Sequence, residues 1–164
     1  SQYSSGSKMP DLKEFNLNVM IEDFLKTATP IFEEKCVTAS FTSVDDIFVL
    51  ADENQYTTVL SNIVLNACSH AKGEKLIEVS TEILDNNKVR VNVFNTGSFV
   101  DDKDKDGIFT SFYRADKAHS RAEGRFGLGL SIVKSITENH GCECGFENKE
   151  NGVTFWFTVN LSLT

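Results

Sequence analysis

The chain has 164 residues, 40% hydrophobic and 24% charged, with a formal net charge of -8. That is the size and balance of one globular domain with a core of its own. A negative surface disfavours nucleic acid and anionic membranes as direct partners. No apolar run of about 18 residues and no signal peptide is present, so if a membrane matters, another part of a longer protein is expected to supply the anchor.

Ser1–Pro10 is polar and aperiodic and reads as a linker or the end of a preceding element. Asn16–Lys35 carries Val19, Ile21, Phe24, Leu25, Ala28, Ile31 and Phe32 at helical spacing, with Asn18 as the expected N-cap and Pro30 expected to kink or end the helix. Val37–Phe41 and Ile47–Leu50 read as short strands around a turn at Ser43–Asp46, and Asp52–Ala71 as a second helix. Leu76–Leu84 and Lys88–Phe94 flank Asp85-Asn86-Asn87, a hairpin signal. Phe99–Arg125 has no strong period. Leu128–Asn139 reads as a third helix stopped by Gly141, with His140 expected to serve its C-terminus through charge or capping. Gly141–Glu147 and Val153–Leu161 read as a second hairpin. Helices and antiparallel strands are segregated, which predicts an α+β two-layer sandwich: a mixed, mostly antiparallel sheet with about three helices on one face. Cys142 and Cys144 have C-x-C spacing with no second pair to complete a zinc site, and read as small residues on one strand face.

Four stretches carry candidate chemistry. Gly127 and Gly129 stand at the mouth of the third helix, where unpaired amides and the helix dipole favour a phosphate and glycine permits close approach. A tight packing turn is the bland alternative. Asn62 and Asn66 lie one turn apart on the second helix, and a carboxamide oxygen is a suitable hard ligand for Mg²⁺, against two merely solvent-facing asparagines. Asn95-Thr96-Gly97 ends a strand with a polar group that can hydrogen-bond a flat heterocycle, or is a simple turn. Ile108–Arg114 is an aromatic cluster that reads as a core anchor or the wall of a pocket.

In this order and spacing the four stretches resemble the N, G1, F and G2 boxes of the catalytic, ATP-binding domain of sensor histidine kinases, the Bergerat-type fold shared with gyrase, mismatch-repair and heat-shock chaperone ATPases. The resemblance runs from about Phe15 to Leu161. It implies residues 1–12 as the end of a phosphotransfer helix plus linker, and 13–164 as the catalytic domain. It implies ATP and Mg²⁺ as cofactors, with Asn66 on the metal and Asn62 one turn earlier. Asn95 falls where the family has an aspartate that accepts from the adenine amino group, and Gly97 is the turn that follows. Phe109, Phe112 and Tyr113 resemble the F box. Arg114 matches an arginine near the γ-phosphate, and Arg121 lies in the Ala115–Gly124 lid, within reach of the phosphates. Gly124, Gly127, Leu128 and Gly129 match the G2 box. Ser69 and His70 take places where a lysine and a tyrosine are common, and His70 is expected to line the nucleotide pocket. The departures are Asn95 for aspartate, Phe99 for the second G1 glycine, and Arg125 and Phe126 for small residues. Asn-x-Gly in G1 is similar to sensors of Gram-positive bacteria, including some that respond to cell-wall antibiotics.

The implied function is transfer of the ATP γ-phosphoryl group to a histidine on an adjacent dimerisation domain. His70, His119 and His140 all lack the context of a phosphoacceptor, so the acceptor is expected outside this chain. The implied partners are that dimerisation domain and a response regulator, with the isolated domain a monomer on the cytoplasmic side of an anchored parent protein. A gyrase- or chaperone-like ATPase and a degenerate nucleotide-binding module remain as other readings. The first would carry a glutamate base at the place of Asn62, where a carboxamide cannot take a proton.

Overall fold

The computed structural model describes residues 9–43, 45–110 and 126–163, with the backbone alone in 126–128. In chain order these form β1 (Lys13–Asn16), α1 (Leu17–Thr27), α2 (Thr29–Lys35), β2 (Thr38–Thr42), β3 (Phe48–Ala51), α3 (Glu53–His70), β4 (Leu76–Ile83), β5 (Lys88–Thr96), a 3₁₀ turn at Asp102–Asp104, α4 (Phe126–Asn139), β6 (Cys144–Lys149) and β7 (Gly152–Asn160). The five-stranded sheet runs β2-β4-β5-β7-β6, and β1 and β3 pair in a separate ribbon. Only β2 with β4 is parallel in the large sheet. The expected α+β sandwich with a mixed, mostly antiparallel sheet is the architecture found.

Side chains alternate across a strand with period two. Val89, Val91 and Val93 on β5, and Val153, Phe155, Phe157 and Val159 on β7, therefore present one apolar stripe each, and all are buried in a single core with the helices. The other face of the sheet is polar: Arg90 lies 4.4 Å from the Trp156 ring centroid and pairs with Glu82 and Glu147. On α3, Tyr56, Val59, Leu60, Ile63, Val64 and Ala67 recur at helical spacing and are all essentially inaccessible. Cys68 and Cys144 are free thiols pushed up to about 11, chiefly by burial, so both stay protonated at neutral pH.

Three local expectations are corrected. The first helix starts one residue later, its N-cap is Asn16, whose side chain accepts from Val19 N, and Asn18 is instead a buried clamp. Asn18 Nδ2 donates to Ser43 Oγ at 2.6 Å and to the Asp45 carbonyl. That clamp fastens the β2–β3 connection to α1, and with Leu17 N bonded to the Ile47 carbonyl at 2.8 Å it turns β3 away from β2, towards β1. The helix divides at Ala28, the break expected of Pro30, which occupies the first turn of α2, where its missing amide costs nothing; the correction is to the helix count. Four helices stand among the described residues where about three were expected. Finally, α4 begins at Phe126 rather than Leu128, so Gly127 lies inside its first turn together with Leu128 and Gly129.

His140 follows α4 and is neutral, not a charge at the helix end. Its Nε2 accepts from Asp52 N at 3.1 Å, and Nδ1 lies 2.9 Å from the Ile136 carbonyl, to which it donates. The Tyr56 ring meets it edge-on at 4.7 Å. Burial lowers its pKa below the ordinary 6.5, opposed in part by the Ile136 carbonyl and by Asp52. The unfolded chain therefore binds the proton more readily, and the stability this histidine provides is complete above pH 6.5 and is lost as pH falls from there through the lowered value. Thermal unfolding of the wild type is expected to worsen from pH 7 to 5 more steeply than that of His140→Gln. Parallel profiles would contradict this.

Candidate functional site

The polar end of the apolar stripe on β5 is the centre of the site. Asn95 takes the next place after Val89, Val91 and Val93, opposite Ile77 on β4 and Val153 on β7, on the sheet that α3 packs against. It is fully buried. Its Nδ2 donates to Ser98 Oγ at 2.8 Å and to the Thr96 carbonyl at 3.2 Å, and its Oδ1 has no partner among the described residues. A buried acceptor left unmet costs about 1–3 kcal/mol, so this oxygen suits a donor brought by a ligand, such as the exocyclic amine of adenine.

The strand end carrying Asn95 is held by backbone. Thr96 Oγ1 donates to the Lys72 carbonyl at 2.9 Å, Lys72 N donates to the Thr96 carbonyl at 2.9 Å, and Leu76 N donates to Thr96 Oγ1 at 3.0 Å. Gly97 turns with φ +82°, and a Cβ there would fall 2.5 Å from the Lys72 carbonyl oxygen. Only glycine meets both demands. Val100 is then pinned to β6 through both amide atoms of Asn148. Sequence reasoning misses Thr96 and Ser98 as site residues. The available signal was a pair of hydroxyl side chains flanking Asn95 and the glycine turn.

Helix α3 supplies the second group. Asn62 donates from Nδ2 to the Thr58 carbonyl at 2.8 Å, so it bonds back to its own helix. Its Oδ1 would lie 3.1 Å from a Cβ at Gly129. Gly129 thus serves the close approach of α4 to α3, the packing role that stood as the alternative to phosphate binding in its sequence. Asn66, one turn on, keeps Nδ2 buried without a partner among the described residues, so that amide nitrogen is not consumed by helix structure. Ser69 and His70 follow in the last turn of α3, Ser69 exposed and His70 half-buried. No group of three or more His, Cys, Asp or Glu side chains able to hold a metal lies among the described residues. An amide oxygen completed by phosphates and waters is the mode open to Mg²⁺ here, and that ion rarely asks for an all-protein cage.

Phe109 packs partly buried against the core, edge-on to Phe155 at 6.3 Å, the anchoring role its sequence suggested. Phe112, Tyr113, Arg114, Arg121 and Gly124 lie outside the described residues. The structure therefore brings together Asn95, Thr96, Gly97 and Ser98 at the end of β5, and Asn62 and Gly129 at the α3–α4 contact, with Asn66 one turn further along α3.

The profile of the Histidine kinase-, DNA gyrase B-, and HSP90-like ATPase family matches residues 51–163. The chain belongs to that family. Among curated relatives, the Sensor protein VanSB of Enterococcus faecalis is 36% identical over 111 residues, covering 68% of this chain and 25% of that protein. Among solved structures, the nucleotide-free catalytic domain of histidine kinase ThkA superposes with a TM-score of 0.77 at 34% identity, covering 92% of this chain and 97% of that one. ThkA in complex with the response regulator protein TrrA superposes at 0.78 with 30% identity, covering 95% of this chain and 44% of that one. This member of the family is of the sensor histidine kinase type and has the fold of that type's ATP-binding catalytic domain. It spans about a quarter of the length of VanSB. No helix among the described residues is long and apolar enough to cross a membrane.

Proposed function

We propose that this chain is the ATP-binding half of a sensor histidine kinase, which donates the γ-phosphoryl group of ATP to a histidine on an adjacent dimerisation domain. The observation that supports the reading is the buried Oδ1 of Asn95, without a partner among the described residues, an acceptor that suits the adenine amino group. Asn66 would hold Mg²⁺ through its amide oxygen, and the ion would neutralise phosphate charge. Phe109, Phe112 and Tyr113 would anchor the lid, Arg121 would meet the phosphates, and Gly124, Gly127, Leu128 and Gly129 would close over them. Arg114 would stabilise charge on the transferring group. Such transfer is mostly positioning and electrostatics, with little covalent work by the protein.

Hydrolysis by this chain is disfavoured. Asn62 stands where an ATPase would place its base, and its amide is tied to the Thr58 carbonyl. Residues 13–164 form the catalytic domain in this reading, and 1–12 the link to the phosphotransfer helix. The parent protein would hold this domain on the cytoplasmic side of a membrane and pass the phosphoryl group to a response regulator, as the ThkA complex with TrrA suggests by analogy.

The test is radiolabel transfer from γ-labelled ATP. The chain alone is expected to bind ATP without labelling itself and without appreciable hydrolysis. Adding the matching phosphotransfer domain as a separate polypeptide should give an acid-labile phosphohistidine, weakly, because the covalent link and its effective concentration are gone. Rapid hydrolysis with no transfer would overturn the reading in favour of an ATPase.

A further inference from the structure

A strand with one face in water alternates apolar and polar side chains, and a strand covered on both faces does not. Strand β3 reads Phe48-Val49-Leu50-Ala51 and is apolar throughout. Val49 and Ala51 lie in the core, while Phe48 and Leu50, on the other face of the ribbon, are 48% and 40% exposed. The sequence of β3 is that of a strand with two covers, and the described residues supply one.

The uncovered face extends beyond β3. In the antiparallel ribbon Glu14 stands opposite Leu50 and Asn16 opposite Phe48. Leu12, two residues before Glu14 and half exposed, continues that side. Ser162 N donates to the Phe48 carbonyl, which brings the exposed Leu163 alongside. With Met9, five of the eight large apolar side chains exposed among the described residues belong to this ribbon and to the segments that lead into and out of it. Clustering of that kind marks an interaction surface, whereas single exposed side chains such as Ile83 need no such account.

We propose that this face is the seat of the helix that leads into the domain in its parent protein, an amphipathic helix whose apolar stripe covers Leu12, Phe48 and Leu50 and whose flanks are basic. The inference rests on the proposed function for its premise that a phosphotransfer helix precedes this domain. Three observations select that occupant. The patch is small, on the order of a few hundred Å², against roughly 800 Å² per partner in a stable complex of free proteins. It suits a neighbour already tethered, for which a short link supplies an effective concentration of about millimolar. Leu12 belongs both to the patch and to the segment through which the chain enters β1, so the tether arrives at the seat itself. The polar rim is acidic: Asp11, Glu14, Asp45 and Asp46 are exposed there, against Lys13, which lies 3.7 Å from Asp11. Basic flanks would complement that rim, while a second copy of this chain would set acid against acid. A contact of this size between parts of one chain opens and closes readily, so the seat would hold the domain in one orientation without locking it.

Hydroxyl-radical footprinting, which reads side-chain exposure, tests the seat. It is applied to this chain alone and to the longer polypeptide that carries the parent's phosphotransfer domain ahead of it. Phe48 and Leu50 should oxidise about threefold or more slowly in the longer protein, as expected when half-exposed side chains enter an interface core, with Ile83 unchanged as the internal reference. Phe48→Ser combined with Leu50→Ser, both at exposed positions, should leave the melting temperature and ATP affinity of the chain alone unchanged. In the longer protein the same pair should return Leu12 to the oxidation rate it has in the chain alone. Equal rates at Phe48 and Leu50 in the two proteins would overturn the seat. So would protection that appears in the chain alone and grows with its concentration, the mark of a second copy. Radiolabel transfer in the longer protein reports on the kinase reading separately. Transfer without protection sinks the seat alone, and hydrolysis without transfer sinks the kinase reading and takes the premise with it.

Discussion

Gly152→Ala is expected to destabilise the domain by about 3 kcal/mol and to lower its melting temperature by about 6–12 °C. In extended backbone a glycine-to-alanine change ordinarily helps, by about 0.4–1 kcal/mol through the unfolded chain. Here the new Cβ would fall 2.1 Å from the Asn95 carbonyl oxygen and 2.9 Å from the Phe94 ring. A backbone oxygen cannot rotate away as a side chain can, so β5 and β7 must part at the Thr96–Gly152 pair. The clash exceeds the entropic gain and sets the sign. The same displacement moves the peptide that carries Asn95, so ATP affinity should fall together with stability. Denaturant unfolding and nucleotide titration of the variant check both, and an unchanged or raised unfolding midpoint would refute the packing argument.

The second large effect is on the ligand alone. Asn66→Ala should lower Mg·ATP affinity by about tenfold or more, close to 1.4 kcal/mol, with folding unharmed. Alanine is the better helix former, and the Asn66 Nδ2 that is removed has no partner to lose among the described residues. Calorimetry with and without Mg²⁺ distinguishes a metal ligand from a base or phosphate contact, because the loss should shrink when the ion is withheld. Unchanged affinity in the presence of Mg²⁺ would remove Asn66 from the proposed site.

What could be read from the sequence follows the range of the forces involved. The α3 face of Val59, Leu60, Ile63, Val64 and Ala67 is legible because burial and helical period coincide in one local stretch. The β4–β5 hairpin is legible because its turn residues lie between two alternating runs. The β1 strand is not. It has four residues, of which Phe15 is the one large apolar side chain, and its partner β3 lies more than thirty residues on. The cap passes from Asn18 to Asn16 because the Ser43 and Asp45 contacts of Asn18 are tertiary.

The same division holds at the site. Asn95 and Gly97 are visible as a polar residue and a glycine turn after a strand. Their clamp is not, because it depends on Lys72, 24 residues before Thr96. Gly129 is visible as an oddity at a helix start, but its neighbour Asn62 belongs to another helix. His140 reads as a charge or a cap at the helix end; the cap to the Ile136 carbonyl is local and found, whereas the amide that Asp52 presents to its ring comes from 88 residues away.

The ribbon of β1 and β3 also fixes where the chain comes and goes. Leu161 bridges to Val49, Ser162 N donates to the Phe48 carbonyl at 2.9 Å, and Ser162 Oγ donates to Glu14. Among the described residues, β1 and the segment that follows β7 thus meet at one corner. A host protein could take this domain into a surface loop as a cassette, since the two junctions need no stretch of linker to span the fold and the loop-closure cost to the host stays small.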